Sequence, residues 1–175
     1  MTEAIHVRSR TGNIKAKQLT SHGALTAASF SGAVKVHGTS SASHAYLASV
    51  RAPVKGVIRV KSNCTMRSVA SRIKFGVHLV DALAKHAHIT ASSVAGNVEV
   101  DVDDTFEGEL DVRSVFRPAQ VSGGNIRLTT DTIRHKHGYK DSDEGAAGQG
   151  TVEVRSVGGP ATLNFLQPDE VFEQA

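Results

Sequence analysis

From Ile89 to Val100 the chain reads apolar, x, apolar, x, Ser, x, x, Gly, x, apolar, x, apolar. Alternation of this kind puts Ile89 and Ala91 on one side of a short strand. Val98 and Val100 fall on the same side of a second strand, with the Ser93–Gly96 corner between the two. The pattern recurs as Ile5, Val7, Ser9, Gly12, Ile14, Ala16 and, 20 residues on, as Leu25, Ala27, Ser29, Gly32, Val34, Val36. A third copy opens with Ala45, Leu47, Ser49 and is read with a widened corner, marked by Pro53, that reaches Gly56 before Ile58 and Val60. Between 64 and 80 two alignments compete, Ser71-x-Ile73-x-Phe75 or a corner at Gly76. Gly76 is preferred because it lies 20 residues from both Gly56 and Gly96. Leu110, Val112 and Ser114 then lead to Arg117-Pro118 in place of a glycine corner, and Gly123-Gly124 ahead of Ile126 and Leu128 restores a second-strand signature. Val152, Val154, Ser156, Gly159, Ala161 and Leu163 form a final clear copy.

A period near 20 with two short strands per repeat predicts an all-β chain, a right-handed parallel β-solenoid of about seven or eight coils, each burying its apolar side only by stacking on its neighbours. An ordinary β-sandwich is the alternative, but sandwich strands seldom repeat a Ser-x-x-Gly corner at fixed spacing. The corner glycine is expected to supply a positive φ, and the serine to bond the turn's own backbone. The expected interior includes Ile5, Val7, Ile14, Leu25, Val34, Val36, Ile89, Val98, Val100, Val112, Val152, Val154 and Leu163. One domain spans 1–175, with repeats over about 5–166, a polar and Gly-rich mobile loop over about 138–150, and a tail over 167–175. Helix is expected only as a short turn near Val80 to Lys85, and Phe165, Leu166 and Phe172 are expected to cover the last coil.

The corners Ser9-Arg-Thr-Gly12, Ser29-Phe-Ser-Gly32 and Ser93-Val-Ala-Gly96, with the ending Val152-Glu-Val-Arg-Ser-Val-Gly-Gly-Pro-Ala-Thr-Leu-Asn-Phe165, resemble an adhesin family of Gly-cornered β-solenoids. This is a domain of unknown function found in bacteria and, in a divergent form, in fungi. Gly138 ahead of a polar run is similar to the fungal form. The resemblance covers roughly residues 5–166 and implies the fold, together with a role in surface attachment or scaffolding; it supplies no catalytic residues. The chain departs from the family pattern at Arg117-Pro118 and around 64–80.

Composition changes this picture little. Aromatic residues make up 5% of the 175, with no Trp, which suits thin, regular layers. Cys64 is the single cysteine, so no disulfide can form within the chain. The first residues lack the basic start and apolar run of a signal peptide, and no run of about 18 apolar residues is present; a place at the cell surface would follow if the chain were part of a longer precursor.

Charge changes the picture more. Residues 1–85 hold 13 Lys and Arg against two acids, Glu3 and Asp81, a net of +11; residues 86–175 hold seven against 15, a net of −8, and the formal +3 is their sum. If sequence order is spatial order, the molecule is a rod with a basic end and an acidic end. The position three after each corner glycine faces outward and reads Lys15, Lys35, Arg59 and then Glu99. With no acid between Glu3 and Asp81, a basic stripe of Arg8, Lys15, Lys35, Arg59, Lys61 and Lys74 is the candidate ligand-binding surface. Its expected partners are a polyanion or surface polysaccharide, or the acidic end of another copy stacked head to tail. Nucleic acid suits it less, because Phe30, Tyr46 and Phe75 are the only aromatics of that half.

Catalytic and metal chemistry read as background. His86-x-His88 and His135-x-His137 could each place two imidazoles on one face, but a metal needs a third ligand. Asp101, Asp103 and Asp104 crowd into one segment without the Gly-centred loop of a Ca²⁺ site, and a glycosidase on a β-helix needs acids on neighbouring coils. Cys64 lies near Lys61 and Arg67 without an evident His partner. The outward positions are too mixed for an ice-binding face of threonines. The expectation is a non-enzymatic binding or scaffold module without cofactor, with a carbohydrate-active enzyme on a β-helix as the alternative.

Overall fold

The computed structural model describes residues 4–37, 40–80, 86–141, 148–167 and 171. It is all-β and mostly parallel, with fifteen strands joined into one sheet. The apolar alternation sorts the strands into two ranks. In the first, β1 (Ala4–Ser9), β3 (Ala24–Ser29), β5 (Ser41–Ser49), the second half of β6 (Val54–Ser68), β8 (His88–Ser93), β14 (Gly150–Ser156) and β10 (Gly108–Ser114) lie side by side in parallel. In the second, the order is β2 (Ile14–Lys17), β4 (Val34–His37), the first half of β6, β7 (Ile73–Leu79), β9 (Val98–Asp103), β15 (Ala161–Leu166) and β11 (Ala119–Ser122). A corner joins one strand of each rank into a rung. Inward residues meet like with like, Leu47 on Met66 and Val34 on Val54, and form one apolar core. Each fully buried Val, Leu or Ile contributes about 1.5–3 kcal/mol.

The corners are held by serine. Ser9, Ser29, Ser49, Ser68, Ser93, Ser114 and Ser156 each accept the N–H three residues on. Five of them also donate to a carbonyl of the neighbouring rung: Ser29 to Gly12, Ser49 to Gly32, Ser93 to Ser71, Ser156 to Gly96 and Ser114 to Gly159, at 2.8–3.1 Å. One hydroxyl thus serves as acceptor within a turn and donor between rungs. The corner glycines differ from expectation in their reason. Among the described residues positive φ at glycine is confined to Gly56, Gly108 and Gly123; the corner is glycine because a Cβ at Gly32 would stand 2.1 Å from the Gly12 carbonyl oxygen.

Two expected registers are corrected. Gly56 lies inside β6, in the inward column between Val36 and Phe75, where a Cβ would stand 1.8 Å from the Val36 carbonyl oxygen. The third corner is instead Val50-Arg51-Ala52-Pro53, with Ala52 N–H on Ser49. Gly76 likewise lies inside β7, and the fourth corner is Ser68 to Ser71, the alternative not preferred from spacing. Gly76 is packed beside Val57 and the buried Val171, so its missing side chain makes room for Val171.

Sequence order is not spatial order. The rung of β14 and β15 is inserted between the rung of β8 and β9 and that of β10 and β11. Phe165 therefore does not cover an end; it is an inward residue stacked on Phe106 of the β9–β10 connection, with ring centroids 5.8 Å apart. The far end is closed by an antiparallel hairpin, β12 (Ile126–Asp131) and β13 (His135–Lys140), on the outer edge of β10. Ile126 and Leu128 belong to this hairpin, and β11 is the second strand of its rung. The expected loop over 138–150 begins as strand and ends as strand, with 142–147 outside the described residues. At the near end Val7 is 38% exposed and Ile5 partly buried, because no described rung covers β1. The remaining expected interior residues are buried. The turn expected near Val80 to Lys85 and the role given to Phe172 fall mostly or wholly outside the described residues. No helix among the described residues is long and apolar enough to cross a membrane.

Candidate anion-binding face

The outward column of the second rank begins with Lys15, Lys35, Lys55 and Lys74, each the register partner of the next. Parallel strands lie about 4.8 Å apart, so three steps carry the four lysine Cα atoms over about 14 Å. Glu99 follows and pairs with Lys74 at 3.1 Å; both side chains are well exposed, and solvent screens the pair. Lys15, Lys35 and Lys55 have no acidic partner among the described residues. Partial burial, and then the nearby Arg72, Lys35 and Lys74, hold the Lys55 ammonium below its usual pKa. Like charges placed directly opposite destabilise a sheet, so this column is maintained against its own repulsion.

The far half behaves differently. Its acids have partners: Asp111 with Arg113 and His135, Glu153 with Arg155, Asp131 with Lys136, Asp104 with Lys140, and Asp141 with Arg127. Burial alone would raise Asp111, but the hydrogen bonds and charges of Arg113 and His135 hold it below the usual carboxylate range. Five acids of this half thus have a cationic partner within it, whereas no acid exists between Glu3 and Asp81 to do the same for the basic half.

The six residues expected to form one stripe divide among three places. Lys15, Lys35 and Lys74 stand in the lysine column. Arg8 lies in the first rank, in the outward column of Ala28, Ala48 and Arg67. Arg59 and Lys61 sit at the middle of β6, beside a cavity of about 260 Å³ with Thr20, His22 and Val80. Arg59 is paired in register with Ser41 and His78, not with Lys35, which corrects the column read from the sequence. Lys55 is the member that reading missed.

The other candidates, apart from the exposed His86, are engaged in the fold. Asp101 accepts from Asn164 at 2.7 Å, and burial raises its carboxyl above the usual range. Asp103 lies 2.9 Å from His78 Nδ1, and Asp104 2.9 Å from Lys140 Nζ. His88 meets Thr151 at 2.7 Å, while His135 and His137 face Asp111 and Glu109. Cys64 is buried, and burial pushes its thiol up to about 12. Phe75 is buried as well, leaving Phe30 and Tyr46 as the aromatics on the surface of the basic half. Among the described residues no group of three or more His, Cys, Asp or Glu is placed to hold a metal ion. Comparison with family models, with curated proteins and with solved structures returns no match.

Proposed function

We propose that this chain is a non-enzymatic binding module, a right-handed parallel β-solenoid of seven coils that holds a linear anionic polymer along the column Lys15, Lys35, Lys55, Lys74. The register of those four lysines carries the reading. Four cations at about 4.8 Å intervals form a linear track for an extended chain with repeated negative groups, and such a chain removes the repulsion that the apo column sustains. The resemblance of the corners to the adhesin family supports a role in attachment, with the polymer as the attached surface. The test is retention on immobilised heparin and polygalacturonate as salt is raised. Retention at low ionic strength that falls steeply between about 0.05 and 0.2 M salt is expected, and it should be weakened, with elution at clearly lower salt, when Lys35, Lys55 and Lys74 are changed to Ala. Passage through both columns at low salt, or an elution salt unchanged by the triple change, overturns the proposal.

A further inference from the structure

On the first rank a different feature appears. The outward column Arg8, Ala28, Ala48, Arg67 places two alanines in register between two arginines. Alanine is depleted on strands, and a solvent-facing strand position ordinarily carries a longer, polar or β-branched side chain. Here the small pair leaves a slot of about 480 Å³, with Tyr46 on one side and the corner residues Phe30, Val50 and Val69 on the other. Phe30 is 48% exposed, with the Arg51 guanidinium 5.4 Å above its ring. The floor and walls are mainly apolar, and a cation stands at each end, the two arginine Cα atoms about three strand spacings, or about 14 Å, apart.

We infer that this slot binds a segment of an acidic polysaccharide, a chain of uronate-type sugars. A shallow open slot cannot enclose most of a small apolar ligand in the way a pocket does; its occupant is a chain that continues past both ends. The units of that chain need an apolar face for the alanine floor and aromatic walls, hydroxyls that stay in water, and carboxylates for Arg8 and Arg67. A ring of a sugar acid has all three, and guanidinium recognises carboxylate bidentately. A peptide strand has no edge to join, because β3 and β5 are each paired on both sides. A single-stranded nucleic acid is disfavoured because base-stacking platforms offer aromatics to successive bases, whereas Phe30 and Tyr46 stand on opposite sides of the alanine column. The slot lies across the serine corner from the lysine column and does not depend on it.

The test is isothermal titration of the full chain with tetragalacturonate, an uncharged tetrasaccharide and a thymidylate tetramer. Tetragalacturonate should bind, with affinity reduced at least about tenfold in Ala48→Glu and in Arg67→Ala but less than about threefold in Arg134→Ala, in the turn between β12 and β13. Equal binding of the uncharged sugar, tighter binding of the thymidylate, or unchanged affinity in both slot variants overturns the assignment. An equal loss in Arg134→Ala also overturns it, and binding by neither slot variant nor parent overturns it whatever the polymer columns show.

Discussion

Ser114 Oγ donates to the carbonyl of Gly159 at 2.8 Å, across 45 residues of chain. The same serine accepts Arg117 N–H in its own corner. Ser156 repeats the arrangement one rung back, donating to Gly96. The column of corner serines therefore runs unbroken through the inserted rung, and the insertion uses the same contacts as rungs that follow one another in sequence.

Removing one such hydroxyl in the interior of the stack leaves a buried N–H and a carbonyl without their partner. Ser156→Ala should cost about 1–3 kcal/mol, a fall of several degrees in Tm by thermal unfolding. Ser9→Ala, at the exposed end with only its bond to Gly12, should cost less. Equal effects at the two positions would contradict the account of the corner.

The insertion is open to direct cross-linking. Thr90 and Glu153 are register partners on adjacent strands, whereas Thr90 and Asp111 have β14 between them, about 10 Å across. A disulfide needs Cα atoms within about 7 Å. Thr90→Cys with Glu153→Cys should therefore close on mild oxidation, and Thr90→Cys with Asp111→Cys should remain reduced. The opposite result would restore a stack in sequence order.

Asp101 fixes the sign of one pH effect. Its carboxyl is raised in the fold by burial, so the contribution it makes when protonated is fully present below the ordinary carboxylate pKa and is lost as pH rises through the raised value. Asp101→Asn keeps an oxygen for Asn164 and carries no charge. The variant should melt higher than the parent at pH 7 and show no advantage at pH 3; melting curves that shift in parallel at both pH values would contradict this.

Much of the fold was legible because the serine is so regular. In every rung the first inward residue of the second strand is five positions after the corner serine: Ile14, Val34, Val54, Ile73, Val98, Ala119 and Ala161. Counting from glycine misplaced the third and fourth rungs, since Gly56 and Gly76 are glycine for close approach within a strand and beside Val171. That error put Arg59 where Lys55 belongs. The position six after each serine reads, in chain order, Lys15, Lys35, Lys55, Lys74, Glu99, Gln120 and Thr162. The insertion was not legible, because all rungs share one inward pattern and none is marked for a particular neighbour. The slot was not legible either, since Ala28 and Ala48 acquire meaning only when Arg8, Tyr46 and Arg67 are placed beside them.

The lysine column is tested most directly by one substitution read in two ways. Lys55→Glu puts an acid between Lys35 and Lys74, replacing repulsion by attraction in a sheet where each such pair is worth about 0.2–1 kcal/mol. Thermal unfolding of the free protein at low salt should rise by about 1–4 °C, while elution from polygalacturonate should move to clearly lower salt. A variant that is more stable and still binds like the parent would contradict the claim that these lysines are kept for an anionic partner.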